Sequence, residues 1–201
     1  MKIKPLAPEE WPSQMNAGLA ALAPANGALV NQSPATRRPG AGNVLGTMAH
    51  HPVLAQAFFT FNGHLLNTNS LSARQRELLV LRVASVKNCG YEWAQHLLIG
   101  QDAGLTEREI ASVAYGPDSP LWSRLDSALV RSVDEFIADG GLSDATWTAL
   151  SEYLEPAQIL DSLYTIGCYV TLAAVIQTLG IELEDDIREI LHLRFRCAYD
   201  R

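Results

Sequence analysis

The sequence predicts an all-α protein, and three observations lead to this prediction. No segment of the 201 residues combines sustained alternation of apolar and polar residues with hairpin turn chemistry. Capping boxes, in which Ser or Thr is followed three residues later by Gln or Glu, mark helix starts at Ser72 and Thr106. Pro52 and Pro156 stand where proline favours the first turn of a helix. We therefore expect helices and no sheet.

The first 42 residues are expected to form an extended N-terminal arm, partly irregular, in front of a helical domain over residues 43–201. Pro, Ala, Gly and Asn recur over residues 23–42, a composition that favours loop. One short helix, over about residues 13–22, is predicted to interrupt the arm. Such an arm either packs across a neighbouring subunit or wraps its own domain, and the sequence leaves both open.

Helices then follow one another along the domain. Pro52 is expected to begin a helix that runs to about residue 66, and Ser72 with Gln75 begins one through about residue 86. Asn88 is expected to cap the next helix, which ends near Gly104. The later helices are predicted from residue 106, over residues 121–138, from residue 143, over residues 156–179 and over residues 184–193.

Composition excludes several functional classes. The net charge is −7 and the Lys and Arg residues are scattered, so we expect no nucleic-acid partner. Three cysteines at wide spacings do not form a secreted disulfide framework, and the N-terminus shows no export signal. The most apolar run, residues 166–179, is too short to span a bilayer, so we expect a buried helix, no membrane partner and a cytoplasmic protein.

One segment concentrates reactive side chains. Cys89, Glu92 and His96 are three and four residues apart, so on a helix they project from one face. Glu77 lies twelve residues before the cysteine in an apolar run. These four residues are the candidate catalytic groups.

Each candidate also has a structural alternative. Cys89 near a helix start would have a lowered thiol pKa, or it is a small buried hydrophobic residue. Glu92 and His96 form either a proton-transfer pair or a surface ion pair. Glu77 either belongs to a solvated face with Arg74 and Arg76, or faces inward with a raised carboxyl pKa.

Further residues could complete a site around these four. Tyr91 and Trp93 are expected in a pocket wall or in the core. We assign them, with His50 and His51, as candidate substrate-binding residues. The histidine spacings match no standard ligand pattern, so we expect no metal site.

The segment over residues 72–109 resembles the carboxymuconolactone decarboxylase and alkylhydroperoxidase D superfamily. The features that carry the resemblance are Arg76-Glu77, Cys89, Tyr91-Glu92-Trp93, His96 and Ala103-Gly104-Leu105. Residues 43–52 and 142–147 also look like one branch of it. The resemblance implies an alkylhydroperoxidase D-like helical bundle that assembles into homo-oligomers, trimers or hexamers, with a dimer as the alternative.

In peroxidase-like members of the superfamily, a C-x-x-C pair is served by a glutamate and a histidine that relay protons. By resemblance, Glu77, Cys89 and His96 match the glutamate, first cysteine and histidine, whereas Glu92 occupies the position of the second cysteine. A dithiol cycle closes a disulfide between the two cysteines, so it cannot run here. Decarboxylase-like members instead use acid/base residues without a cofactor.

The leading hypothesis is therefore a cofactor-independent enzyme that uses acid/base chemistry on a small acidic or carbonyl-bearing molecule. In this hypothesis His96 is the general acid/base and Glu92 is its orienter or a second proton carrier. Glu77 is a further base behind this pair, and Cys89 is a pocket residue or nucleophile. One alternative is a single-cysteine, peroxidase-like oxidoreductase centred on Cys89. The other is a non-catalytic oligomer that binds a small ligand.

Overall fold

The computed structural model describes residues 1–23 and 40–199, with side chains described as far as residue 192. Within these ranges the chain forms α-helices and no β-strand, as predicted. A single 3-10 turn, Pro8–Glu10, precedes the helices. The helices are α1 (Met15–Leu22), α2 (Gly42–Met48), α3 (Pro52–Asn67), α4 (Ala73–Val86), α5 (Gly90–Asp102), α6 (Glu107–Tyr115), α7 (Arg124–Asp139), α8 (Asp144–Ser151), α9 (Pro156–Leu179) and α10 (Asp185–Tyr199).

The helix starts predicted at Ser72, Thr106 and Ser143 are confirmed. Ser72 and Thr106 each accept a hydrogen bond from the backbone N–H three residues on, and the Gln75 and Glu109 side chains complete both capping boxes. Ser143 caps α8 in the same way, through the N–H of Thr146. Local side-chain chemistry therefore determines where these helices begin.

Two elements differ from the prediction. Helix α10 continues to Tyr199 rather than ending near residue 193, and α2 was not predicted. Gly42 and Gly46 are poor helix formers, so the sequence of α2 gives a weak signal. A tertiary contact holds α2, because the Leu6 N–H donates to the Gly46 carbonyl at 3.0 Å. A Cβ at residue 46 would lie only 2.4 Å from the Leu6 carbonyl oxygen, so glycine permits this approach.

The described residues divide into two compact units. The first comprises the described residues of Met1–Thr68 and Thr178–Arg201. In it α1 packs on α3, around a buried cluster of Met15, Ala49, Ala55 and Phe59. Residues 1–23 of the predicted arm therefore include a packed helix. Residues 24–39, where most of the predicted loop falls, lie outside the described ranges, and the boundary at residue 42 stays a prediction.

The second unit, Asn69–Gln177, is built around α4. Helix α4 contacts α5, α6 and α7, and its Leu78, Leu79 and Val80 are fully buried. Two arginines of α4 make polar contacts with its neighbours. Arg74 binds Glu109 at 2.6 Å and Asp126 at 2.7 Å. Arg82 binds both carboxylate oxygens of Asp134, at 2.7 and 2.9 Å.

Helix α9 is long and apolar enough to cross a membrane by length and composition, the one such helix in the described ranges. One helix of this kind is weak evidence for a membrane span, because the core helices of soluble proteins have a similar composition. Polar contacts attach α9 to the start of the second unit: Asp161 accepts hydrogen bonds from the backbone N–H of Ser70 at 2.7 Å and from its hydroxyl at 2.6 Å. Cys168 and Tyr169 on the same helix are buried.

Candidate functional site

The turn between α4 and α5 sets the position of the reactive segment. Asn88 adopts a left-handed conformation (φ 50°), its N–H donates to the Ser85 carbonyl, and the Cys89 N–H donates to the Ala84 carbonyl. This is the Schellman pattern that ends a helix. Asn88 therefore terminates α4, and the prediction that it caps α5 is wrong. Cys89 is the residue at the N-cap of α5.

This turn also leaves the Glu92 side chain free of a capping role. Glu92 is the third residue of α5, where a carboxylate commonly bonds the backbone N–H of the N-cap residue. Here that N–H, from Cys89, already binds Ala84 at 2.9 Å. The carboxyl group of Glu92 instead lies buried beside His96, one turn further along α5.

Glu77 is the charged centre of the site. It projects inward from α4 with no exposed surface, as the second of its two predicted alternatives requires. The Arg76 Nε donates to its Oε1 at 2.9 Å, and His96 Nδ1 lies 2.6 Å from its Oε2. Burial raises the pKa of Glu77, but the charges and hydrogen bonds of His96 and Arg76 together lower it below its usual value. The expected raised pKa is therefore wrong for Glu77.

His96 bridges the two glutamates. An ionised Glu77 can only accept, so His96 Nδ1–H is the donor of the 2.6 Å bond. Its Nε2 lies 3.5 Å from Glu92 Oε2. Burial lowers the pKa of His96, but the charge and hydrogen bond of Glu77, helped by Glu92, raise it above the usual histidine value. The site therefore favours an imidazolium held between two carboxyl groups.

Glu92 is the carboxyl group that titrates near neutrality. Burial raises its pKa to about 7; nearby His96 lowers it, and the charge of Glu77 raises it. Among the buried side-chain oxygens and nitrogens of the described residues, Glu92 Oε1 is the one without a hydrogen-bond partner. The predicted surface ion pair of Glu92 and His96 is thus wrong, since both residues are buried.

Cys89 is a buried thiol, with 2% of its surface exposed. Burial raises the pKa of Cys89 and the charge of Glu92 adds to this, while the backbone amides of Glu92 and Tyr91 act in the opposite direction. The expected lowered pKa is therefore wrong. Cys89 and Cys168 are both free thiols, and the Cys197 side chain lies outside the described part.

Two site residues were not found from the sequence. Arg76 was given a solvated alternative, yet only 7% of it is exposed and it binds Glu77. Tyr169, on α9, packs its ring edge-to-face against His96 with centroids 4.9 Å apart. Burial first, then the charges of Glu92 and Glu77, raise the pKa of Tyr169 well above its usual value, so the phenol stays neutral. No spacing signal in the sequence joins residue 169 to residue 96.

The predicted substrate-binding residues fall in different places. Tyr91 is buried on α5, and its hydroxyl accepts from Gln95 Nε2 at 3.5 Å. Trp93 lines a groove of about 320 Å³ in the second unit. His50 and His51 belong to the first unit, where His50 Nε2 contacts the Lys4 carbonyl and His51 Nδ1 accepts from the Leu54 N–H. The structure brings Glu77, Glu92 and His96 into contact and places Cys89 within the influence of the Glu92 charge, whereas the substrate-binding assignments stay predictions.

The cluster can store and move a proton. Arg76 and His96 carry positive charge, Glu77 carries negative charge, and Glu92 exchanges a proton near pH 7. One neutral-pH acid/base beside a fixed ion pair is the arrangement that general acid–base catalysis requires. Among the side chains of residues 1–23 and 40–192, no group of three or more His, Cys, Asp or Glu could hold a metal ion.

Comparison with known proteins identifies a similar family and similar structures. Residues 52–129 match the model of the carboxymuconolactone decarboxylase family. No curated protein sequence matches the chain. A structure described as an alkylhydroperoxidase AhpD core, an uncharacterized peroxidase-related protein from Ralstonia eutropha, is similar with a TM-score of 0.64 and 21% identity, covering 72% of this chain and 78% of that one.

The debrominase Bmp8 is similar over more of the chain. Its apo structure has a TM-score of 0.73 at 14% identity, covering 94% of this chain and 96% of Bmp8. A cysteine-to-alanine variant of Bmp8 in complex with 2,3,4-tribromopyrrole has a TM-score of 0.71 at 13% identity, with 96% of each chain covered. At these identities the likeness to solved structures shows the fold, and the similarity to the carboxymuconolactone decarboxylase family covers the segment from the start of α3 into α7.

Proposed function

We propose that the chain is a cofactor-independent acid/base enzyme, of the decarboxylase, lyase or isomerase type, which acts on a small acidic or carbonyl-bearing molecule. The observation that carries the proposal is the buried row Arg76, Glu77, His96 and Glu92, in which the pKa of Glu92 is raised to about 7. Ionised Glu92 would take a proton from one atom of the substrate and, as the protonated acid, return it to another atom. Where His96 returns the proton instead, Glu92 passes its own proton to His96 Nε2, 3.5 Å away, and both groups recover their starting charge. Proton balance then closes within one turnover.

Each residue has a distinct role in this proposal. Glu92 is the proton carrier because its carboxyl group is half protonated near neutral pH. His96 presents Nε2 toward Glu92 and supplies positive charge that stabilises an enolate-like intermediate. Glu77 and Arg76 are positioning residues: Glu77 binds His96 Nδ1 and Arg76 binds Glu77, so they hold the imidazole in place without contacting substrate.

The proposal is tested by turnover of Glu92→Gln and His96→Ala against a panel of small lactones and keto acids. We expect both variants to lose at least about a hundredfold in kcat, in line with general acid–base contributions. The matched control is Glu107→Gln, which removes a carboxylate from the exposed face of α6. Full turnover in both variants would refute the assignment.

A second candidate is thiol chemistry at Cys89. It is supported by the similarity to a peroxidase-related protein and to a debrominase whose ligand complex was formed with a cysteine variant. In a peroxidase step the Cys89 sulfur would attack a peroxide oxygen, break the O–O bond, release water or alcohol and become a sulfenic acid. The raised pKa of Cys89 disfavours the thiolate this needs.

Mass spectrometry after one equivalent of hydrogen peroxide separates the two candidates. A 16 Da increase at Cys89, or a mixed disulfide with added thiol, supports thiol chemistry, and an unmodified Cys89 supports the acid/base proposal. A third possibility, a non-catalytic ligand-binding oligomer, predicts no turnover by wild-type protein across the panel.

We further propose that the protein is a cytoplasmic homo-oligomer. Supporting this, Leu160, Tyr164 and Val175 of α9 are at least one-third exposed, and apolar residues exposed on a helix favour association between subunits. Cell fractionation tests the location. Light scattering of the wild-type protein tests the oligomer.

A further inference from the structure

A groove of about 320 Å³ borders the segment that carries the buried cluster. It lies in the second unit and is lined by residues from the ends of α4 and α6 and the start of α5: Ala84, Ser85, Asn88, Gly90, Trp93 and Ala114. Cys89 lies in the chain between two of these lining residues, Asn88 and Gly90. The volume is at the lower end of small-molecule sites.

No charged side chain lines this groove. The cation that reaches its wall is Arg82, which donates to the Ala114 carbonyl at 3.1 Å and is neutralised by two bonds to Asp134. Lys87 precedes Asn88 in sequence but is not a lining residue. A carboxylate bound here would therefore lose water without gaining a cationic side chain, and the partial positive charge at the start of α5, near Gly90, offsets only part of that loss.

Polar groups without partners do line the groove. Within the described residues, the Trp93 indole N–H, the Asn88 side-chain amide and the Ser85 hydroxyl make no hydrogen bond to protein. Two N–H donors and a hydroxyl beside a half-buried indole ring are suited to a flat molecule that presents a hydrogen-bond acceptor.

We propose that this groove binds a small, neutral, planar molecule with a carbonyl acceptor. The ring plane would pack on the Trp93 indole, and the carbonyl would accept from the Asn88 amide or the Ser85 hydroxyl. This narrows the substrate of the proposed function from acidic or carbonyl-bearing to neutral and carbonyl-bearing, and to that extent it rests on the proposed function. The binding itself requires no turnover.

Benzamide and benzoate are matched probes, since both are planar and one is neutral and the other anionic. Each is titrated into the ¹⁵N-labelled full chain while indole and amide resonances are followed by NMR. We expect benzamide to shift the Trp93 indole and Asn88 resonances and to bind at least about tenfold more tightly than benzoate. Equal or tighter binding of benzoate, shifts that map elsewhere, or no binding up to millimolar benzamide would each overturn the proposal.

Substitutions at Asn88 and Trp93 test whether benzamide binds in this groove. Asn88→Gly deletes the side-chain amide while glycine keeps the left-handed backbone, and should weaken benzamide about two- to tenfold, the loss of one hydrogen bond. Trp93→Leu should weaken it further. The control is Trp122→Phe, because Trp122 lines a separate groove of about 540 Å³ in the same unit.

Failure of this inference is distinguishable from failure of the proposed function. His96→Ala should retain benzamide affinity within twofold while turnover is lost. If wild-type protein binds benzamide at Trp93 but turns over no carbonyl compound, the groove assignment stands and the acid/base proposal falls. If Trp93→Leu binds benzamide as wild type does, the groove assignment falls whatever the turnover.

Discussion

The carboxyl groups of Glu77 and Glu92 are both buried, yet their surroundings move their pKa values in opposite directions. Glu77 accepts hydrogen bonds from Arg76 and His96. Glu92 lies 3.5 Å from one nitrogen of His96 and has an oxygen with no partner. Burial disfavours both anions, but only Glu77 has enough donors and positive charge to offset it. Two glutamates whose pKa values differ in this way can have two roles, one as a fixed anion and the other as a proton carrier.

The raised pKa of Glu92 predicts a pH-dependent contribution to stability. Its carboxyl pKa is 4.5 when unfolded and about 7 when folded, so the folded state binds this proton more tightly. The contribution is fully present below pH 4.5 and is lost as pH rises through 7. The unfolding free energy of wild type should therefore fall relative to Glu92→Gln by up to about 3 kcal/mol between pH 4.5 and pH 8.

Guanidinium unfolding of both proteins at four pH values across this range measures the difference. The same comparison with Glu107→Gln should give nearly parallel curves, because that carboxyl group is exposed. A pH-independent gap between wild type and Glu92→Gln would show that Glu92 titrates at its ordinary value in the folded protein.

Glu77 should control the charge of His96. Glu77→Gln removes the anion that raises the pKa of His96, so this pKa should fall toward or below the usual histidine value. The variant also leaves Arg76 buried without its carboxylate, which should cost about 3–5 kcal/mol of stability. NMR titration of the His96 ring protons measures the pKa.

The double variant Arg76→Met with Glu77→Gln keeps this prediction testable if the single variant unfolds. Removing both charges should restore part of the stability while leaving the His96 pKa low. A His96 pKa unchanged in the double variant would show that Glu77 does not hold the imidazolium.

At the scale of elements, the α4–α5 connection places Cys89 and Glu92. The left-handed Asn88 lets two N–H groups bind back to α4, and Gln177 of α9 donates to the carbonyls of Lys87 and Asn88 at 2.6 and 3.1 Å. Asparagine suits both an N-cap and a left-handed helix end, so residue type alone does not decide between them. The Cys89 to Ala84 bond decides it, and only the folded chain shows that bond.

Substitutions at Asn88 test this turn. Alanine is strained at φ 50°, so Asn88→Ala should destabilise the protein by about 1–2 kcal/mol, whereas Asn88→Gly should be close to neutral. Urea unfolding of the two variants gives the comparison. If alanine and glycine are equally stable at this position, the left-handed turn is not maintained in solution.

Sequence reasoning found the helices of the second unit because caps and prolines act locally. Ser72, Thr106 and Pro156 each mark a start through bonds or dihedral angles within one turn. Helix α2 was missed because its glycines give no local signal and its support comes from Leu6, forty residues away in sequence. Cys89, Glu92 and His96 were found together because helical spacing is also local.

At the scale of the whole molecule, the exposed apolar residues of α9 bear on assembly. Leu160 and Tyr164 are four residues apart on one face and are 56% and 60% exposed. We expect light scattering to give a mass that is a multiple of the 21.9 kDa chain. Leu160→Glu combined with Tyr164→Glu should shift that mass toward the monomer, because two buried charges would oppose association.

Glu152→Gln with Glu155→Gln serves as the control for altered surface charge, since both residues are exposed just before α9. Retention of the full assembled mass by the Leu160 and Tyr164 double variant would exclude this face from the interface. A monomeric wild type would contradict the oligomer proposal.

The sequence by itself determined the helical class, most helix boundaries and the grouping of Cys89, Glu92 and His96, because these depend on contacts within one or two turns of chain. The tertiary structure decided the chemistry of that group. Glu77 of α4 and Tyr169 of α9 contact His96, and Arg76 of α4 binds Glu77. These contacts, together with burial, set which groups are charged. Electrostatic shifts depend on solvent exclusion and on neighbours remote in sequence, so the lowered pKa of Glu77 and the raised pKa values of Cys89 and Glu92 followed only from the folded chain.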